Sequence, residues 1–197
     1  MQTTDVEVAA AAIADGELVV YPTETVYGLG ADALDPAAVE RVFEIKRRSR
    51  DKPVSMAVDS VDAASRYTDP TDRERAFMEA FLPGPVTVLV QRGEQVPDVL
   101  TGGRERVGVR VPDYEMALDL LGAVDMPVTA TSANVSGEPS ARRIEAIQTP
   151  VREAVAVELD GGTTPGGSGS TVVDVSTGEI HRRGPLADDI EAWLADH

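Results

Sequence analysis

Short apolar runs alternate with amphipathic stretches along the whole chain, and that alternation restricts it to an α/β architecture. The runs at residues 18–21, 54–58, 86–91, 107–111 and 128–131 are bounded by turn residues and rich in valine, which predicts buried strands. Residues 6–14 carry a helical spacing (Val6, Ala9, Ala10, Ile13) stopped by Gly16. Asp35-Pro36 opens a second helix, with proline at its first position and Val39, Val42, Phe43 and Lys46 on one face. A helix from Thr71 to Pro83-Gly84 is predicted to turn Ala76, Phe77, Ala80 and Phe81 inward. Residues 114–121 and 142–154 read as helical, 156–159 as extended, and 161–170 as a flexible Gly/Ser/Thr/Pro loop. Residues 171–175 and 180–182 predict a hairpin around Thr177-Gly178. A terminal amphipathic helix over 187–195 carries Ile190, Trp193 and Leu194 as its stripe. The expected result is a single domain over residues 1–197, with a mixed sheet flanked by helices.

Composition narrows the function classes. An apolar content of 42% supports an ordinary core. A chain of 197 residues buries roughly 70% of its unfolded surface. Without cysteine there is no disulfide, no catalytic thiol and no thiolate metal site. No stretch approaches the roughly 20 apolar residues of a membrane span, and no basic-then-apolar leader opens the chain. A cytoplasmic protein without membrane partners is expected. The net charge is −16, and only two of 18 basic residues are lysine. Depleted lysine with retained arginine fits a high-salt, halophilic cytoplasm, although an acidic protein from an ordinary cell shares the net charge. In molar salt the Debye length is about 3 Å, so an anionic ligand would be held by direct arginine contacts. The same charge, with 4% aromatics, argues against strong direct nucleic-acid binding.

Four segments could carry chemistry. The first is Pro22-Thr23-Glu24-Thr25-Val26-Tyr27-Gly28-Leu29-Gly30, at the end of a predicted strand, where open α/β sheets bind ligands. Thr23 and Thr25 could bond a polar ligand while Gly28 and Gly30 admit it close to backbone. Alternatively, Thr-Glu-Thr caps a helix. The second runs from Lys46 to Lys52 and holds five cations in seven positions (Lys46, Arg47, Arg48, Arg50, Lys52). It reads as a phosphate cradle or as a solvated basic helix end. The third, residues 127–137, feeds a strand into Thr131, Ser132, Asn134 and Ser136, as a neutral hydrogen-bonding cluster or an ordinary turn. The fourth, residues 166–171, could wrap a ligand or act as a linker.

Other chemistries fare worse. Gly28 to Ala33 matches G-x-G-x-x-A, but the glycines neither follow a strand directly nor open a helix. No P-loop pattern occurs. His181 and His197 are the only histidines, so a multi-histidine metal site and histidine-activated nucleophiles are disfavoured. No protein metal site is expected.

These segments, in this order, resemble the YrdC/Sua5 family. The likeness rests on residues 21–33, Lys46-x-Arg48, Pro83-Gly84-Pro85-Val86-Thr87, Val109-Arg110-Val111-Pro112, Ser132-x-Asn134 and Ser170-Thr171-Val172-Val173-Asp174. It runs from the first predicted strand to Arg183. The chain ends where shorter members end, so the extra C-terminal domain of longer Sua5 proteins is not expected. The resemblance implies a YrdC-like fold with a twisted mixed sheet. It also implies an enzyme that joins L-threonine, bicarbonate or CO2, and ATP into threonylcarbamoyl-AMP, releasing pyrophosphate. That product would pass to a transfer-RNA threonylcarbamoyl transferase complex for the modification of adenosine 37. Lys46 and Arg48 would serve catalysis. Thr25, Arg110 and Ala130 would bind threonine. Lys46, Arg48, Lys52, Ser132, Asn134, Ser140 and Arg183 would bind ATP, accompanied by Mg2+. Arg47 and Ser49 replace a frequent glycine and proline, Ala57 stands where some members carry a histidine, and Arg106 where threonine is frequent. The competing reading is a non-catalytic YrdC-like module that binds double-stranded RNA. A carbamoyl-transferring hydrogenase-maturation module and a dinucleotide oxidoreductase stand further off.

Overall fold

The computed structural model describes residues 1–197. The elements follow in the order β1 (Gln2–Thr3), α1 (Val6–Ala14), β2 (Val19–Tyr21), β3 (Gly28–Gly30), α2 (Pro36–Lys46), β4 (Ser55–Ala57), α3 (Val61–Ala64), α4 (Asp72–Phe81), β5 (Val86–Gln91), α5 (Asp98–Thr101), β6 (Arg106–Arg110), α6 (Glu115–Gly122), β7 (Val128–Ser132), α7 (Thr149–Ala154), β8 (Val157–Leu159), β9 (Thr171–Asp174), β10 (Glu179–Arg182) and α8 (Ala187–Asp196). The strands form one ten-stranded mixed sheet in the order β1-β8-β2-β3-β7-β4-β6-β5-β9-β10. It is the mixed α/β arrangement that the alternating pattern predicts. No helix is long and apolar enough to cross a membrane.

Local chemistry sets the helix ends. Asp5 and Asp35 accept hydrogen bonds from Glu7 N and Ala37 N at the starts of α1 and α2. Thr71 and Glu74 form a reciprocal capping box at α4. Arg47, in the left-handed region at φ 48°, ends α2.

Several expectations need correction. In α4 the buried positions are Glu74, Phe77 and Met78, while Ala76 and Ala80 are exposed. Glu74 takes an inward position because its carboxylate meets Arg106 across the sheet and caps the helix start. Residues 142–154 are a 3-10 turn (Ile144–Ala146) and then α7, because Pro150 can start a helix but not continue one. The β3 strand was hidden by its glycines, which rank low in strand preference. The hairpin of β9 and β10 forms as expected, with a bulge between Ile180 and Arg182.

The back of the sheet is filled by two apolar clusters. One joins Phe43, Phe77, Met78 and Ile190 to Met56, Val88 and Val109; the other joins Val42 and Val151 to Leu18, Val20 and Leu29. On the front, α1 and α6 bring Ala9, Ile13, Ala117 and Leu120 onto Val19, Ala57 and Val128. That cover reaches only part of the front face, and the remainder forms the site.

Candidate active site

Strand alternation builds the floor of the site. Along β6, Val107 and Val109 join the back core, so Arg106, Gly108 and Arg110 face forward. The registers Ser55↔Ala130, Leu89↔Gly108 and Leu89↔Asp174 carry this face into β4, β7, β5 and β9. Small residues occupy its centre (Ser55, Gly108, Ala130, Gly28), leaving a cavity of about 860 Å³. That is the size of a small-molecule or cofactor site. A Cβ on Gly108 would collide with Ser55 Oγ and lie 2.9 Å from Thr87 Cγ2, so the floor tolerates nothing larger there. The glycines of β3 differ from expectation. A Cβ on Gly28 would lie 2.9 Å from the Tyr21 ring, and one on Gly30 2.9 Å from Val128 Cγ1. They make room for core packing first, and Gly28 also lines the cavity.

One end of the cavity is built by residues 23–25 against β6. Arg110 Nη2 donates to Thr25 Oγ1 at 2.7 Å, to Glu24 Oε1 at 2.8 Å and to Thr23 Oγ1 at 3.4 Å. The hydroxyls of Thr23 and Thr25 lie 2.9 Å apart. No helix follows, so the capping alternative is not realised; Thr23 Oγ1 instead accepts from the amides of Thr25 and Val26 within the turn. The loop of residues 161–170 is fastened over this end. Gly166 N donates to Glu24 O at 2.9 Å and Thr164 Oγ1 to Thr25 O at 3.2 Å. A Cβ on Gly166 would sit 2.7 Å from Glu24 O, so glycine alone permits that approach.

Cations line the other end. Arg48 Nε donates to Lys52 O at 2.9 Å and Nη2 to Pro53 O at 3.0 Å, which aims the guanidinium from the α2–β4 connection. Arg182 Nε donates to Ser170 O at 2.8 Å and Nη2 to Ser170 Oγ at 3.0 Å. Ser170 Oγ lies 2.7 Å from Thr87 Oγ1. Desolvation pulls both guanidiniums below their ordinary pKa, and Arg182 is lowered further by Arg110 and Arg48. Cations that depress one another stabilise an anion placed among them.

The expected residues sort into two groups. Thr25, Arg48, Lys52, Arg110, Ala130, Ser132 and Ser140 all line this one cavity. Lys46, Asn134 and Arg183 do not. Lys46 is buried, and its Nζ donates to Ser132 O and to Asn134 O (2.8 Å), while Lys46 O accepts from Ser136 N at 2.8 Å. It clamps the end of β7. Burial, then Arg48, pulls its pKa down to about 7. Asn134 Nδ2 is spent on Val135 O (2.9 Å) and Glu138 O (2.7 Å) within its own turn. Arg183 is exposed and pairs with Asp188 (2.7 Å) and Glu191. The basic segment is therefore not one cradle: Arg48 and Lys52 face the cavity, Arg50 pairs with Glu40 at 2.6 Å, and Arg47 ends α2.

Sequence reasoning gave no binding role to Arg182 or His181, and none by name to Ser170, Thr87 and Tyr21, which it quoted only within motifs; all five line the cavity. The bulge in β10 erased the signal for Arg182, since alternation from Ile180 no longer predicts which face the next arginines take. Arg106 also lines the cavity, but is engaged by Glu74 and by Asp174 at 3.2 Å. No group of three or more His, Asp or Glu side chains is placed to hold a metal ion.

The chain is similar in sequence and in fold to known proteins. The family model for Sua5, YciO and YrdC proteins, described as "Telomere recombination", matches residues 11–184. A threonylcarbamoyl-AMP synthase of Pyrococcus abyssi is 40% identical over 172 residues, 87% of this chain and 51% of that one. One of Xanthomonas axonopodis pv. citri is 34% identical over 183 residues, 91% of this chain and 98% of that one. The solved structure of P. abyssi Sua5 complexed with L-threonine superposes with a TM-score of 0.89 at 38% identity, covering 95% of this chain and 56% of that one. The chain thus spans about half the length of its Pyrococcus relatives.

Proposed function

The chain belongs to the Sua5/YciO/YrdC family, and from that premise we propose that it is an L-threonylcarbamoyladenylate synthase, a nucleotidyltransferase. L-threonine, bicarbonate and ATP would give threonylcarbamoyl-AMP, pyrophosphate and water. The observation that carries this reading is one cavity with two unlike ends. Arg110, Thr23 and Thr25 line it at one end, where an amino acid would sit, and Arg48, Arg182, Lys52, Ser132 and Ser140 also line it and would meet the nucleotide.

The chemistry asks for positioning more than for a protein nucleophile. The threonine amine and bicarbonate form a carbamate with loss of water. A carbamate oxygen then attacks the α-phosphorus, and the β,γ-phosphates leave as pyrophosphate. Both reactants are anions, so holding them together is the principal barrier, and converging guanidiniums lower it. Arg110 would pair the threonine carboxylate beside Thr25 and over Ala130. Arg48 and Arg182 would meet the phosphates, and Ser132 and Ser140 would bond the nucleotide. Lys46 would act at one remove, by holding the carbonyls of Ser132 and Asn134. The donor set builds no resident metal cage, so Mg2+ would arrive with ATP and neutralise phosphate charge there. The adenylate would then pass to a transfer-RNA threonylcarbamoyl transferase complex.

The test is isotope-labelled bicarbonate supplied with ATP and L-threonine. Label recovered in an adenylate that hydrolyses to AMP and threonine supports the reading. Label absent from any threonine-containing product overturns it.

A further inference from the structure

We infer that the Ser55 hydroxyl holds the third substrate, bicarbonate, and then the carbamate made from it; this rests on the synthase reading of the cavity. Ser55 lines the cavity from β4, and its Oγ is neither hydrogen-bonded to the protein nor sealed from solvent. A Cβ on Gly108 would collide with this Oγ, so the hydroxyl stands directly over the bare floor. Thr87 flanks the same glycine, but its hydroxyl is engaged by Ser170 Oγ at 2.7 Å. Register then sets where Ser55 stands. Ser55 pairs with Ala130, and Met56 with Val109, so Ala130, Ser55 and Gly108 form one row across β7, β4 and β6. Arg110 is two residues past Gly108, on one side of that row. Ser132 and Pro53, whose carbonyl anchors Arg48, are two residues away on the other side. Two residues of strand span about 7 Å, so the free hydroxyl lies midway between the groups that would hold the amino acid and those that would hold phosphate.

That midpoint is where the new carbon must sit. Bicarbonate carries a hydroxyl and acceptor oxygens, and a serine hydroxyl both donates and accepts. The lone pair of the neutral threonine amine attacks the bicarbonate carbon. The C–N bond forms, the C–OH bond breaks, and hydroxide leaves with one amine proton as water. The carbamate keeps two oxygens, one on Ser55 and the other free to attack the α-phosphorus. A single neutral donor orients the carbamate while leaving it anionic and nucleophilic. A guanidinium at this point would bind the anion tightly before reaction and raise the barrier to attack. The small side chains of the row leave room for a planar ion.

The experiment is steady-state pyrophosphate release by the full chain in CO2-depleted buffer. Bicarbonate is titrated at saturating ATP and L-threonine, and each of those is then titrated at saturating bicarbonate. Ser55→Ala should raise the KM for bicarbonate about tenfold, the scale of one hydrogen bond to a charged group, and leave the KM for ATP and for threonine within about twofold. Its melting temperature should stay within a few degrees, because no hydrogen bond within the protein is lost. An unchanged KM for bicarbonate in Ser55→Ala would overturn the inference. Equal rises for all three substrates would also overturn it, as would a loss of turnover that excess bicarbonate does not restore. A wild type whose pyrophosphate release is independent of bicarbonate overturns the synthase reading itself, an outcome distinct from the others.

Discussion

Arg182 is tied to Ser170 by two hydrogen bonds, from Nε to the carbonyl at 2.8 Å and from Nη2 to the hydroxyl at 3.0 Å. The pairing turns Arg182 toward Arg48 and Arg110, while the adjacent Arg183 turns outward to Asp188 and Glu191. Two neighbouring arginines therefore have opposite fates, and their variants should differ. Arg182→Ala should raise the KM for ATP about tenfold or more, the scale of a lost charge-assisted contact. Arg183→Ala should leave it within about twofold, since its exposed pairs are worth little. Steady-state pyrophosphate assays over an ATP series check both.

Arg48→Ala should weaken ATP use by about tenfold to a hundredfold while the melting temperature stays within a few degrees. Its guanidinium bonds only the carbonyls of Lys52 and Pro53, in a connection outside the core. Unchanged KM and kcat would remove Arg48 from the phosphate end.

Lys46 predicts a pH dependence of stability. Its pKa falls from an ordinary 10.5 to about 7 in the folded chain, through burial and then Arg48. Between these values the unfolded chain carries a proton that the folded chain has released, so this residue's contribution to stability rises with pH across that window. Below about pH 7 both states are protonated and the buried charge weighs fully against folding. Lys46→Met should remove that dependence. The stability difference, wild type minus variant, should therefore grow by a few kcal/mol, on the order of 1.4 per pKa unit, from pH 7 to pH 10. Denaturant melts at several pH values read it, and a flat difference contradicts the assignment.

Gly108→Ala should destabilise the fold by about 1–3 kcal/mol and reduce activity, because the new methyl collides with Ser55 Oγ and crowds Thr87 in the cavity floor. Gly166→Ala should lower activity with a smaller effect on melting. It forces the 161–170 loop away from Glu24 and Thr25 without touching the core. Melting curves set beside turnover separate the two.

The alternating pattern placed most strands and helices because β5, β6 and β9 bury one face in valine and α1, α2 and α4 each carry a capping residue at the start. It failed where side-chain identity ran against location. Gly28 and Gly30 form a strand because Tyr21 needs their space, and Glu74 lies buried because Arg106 neutralises it. The site was legible where motif residues stood at strand ends, as with Thr25, Arg110 and Ser132. Lys46 was not legible because a buried lysine bonded to two carbonyls and one that meets phosphate read identically in sequence. Arg182 was lost to a single bulge.

Whether one hollow joins nucleotide and amino acid is tested most directly by purified protein given ATP, bicarbonate and Mg2+ in high salt, with and without L-threonine. Pyrophosphate should appear only when threonine is present, at a rate that Arg110→Ala and Arg48→Ala each reduce. Release of pyrophosphate at the same rate without threonine, or none under either condition, would contradict the account.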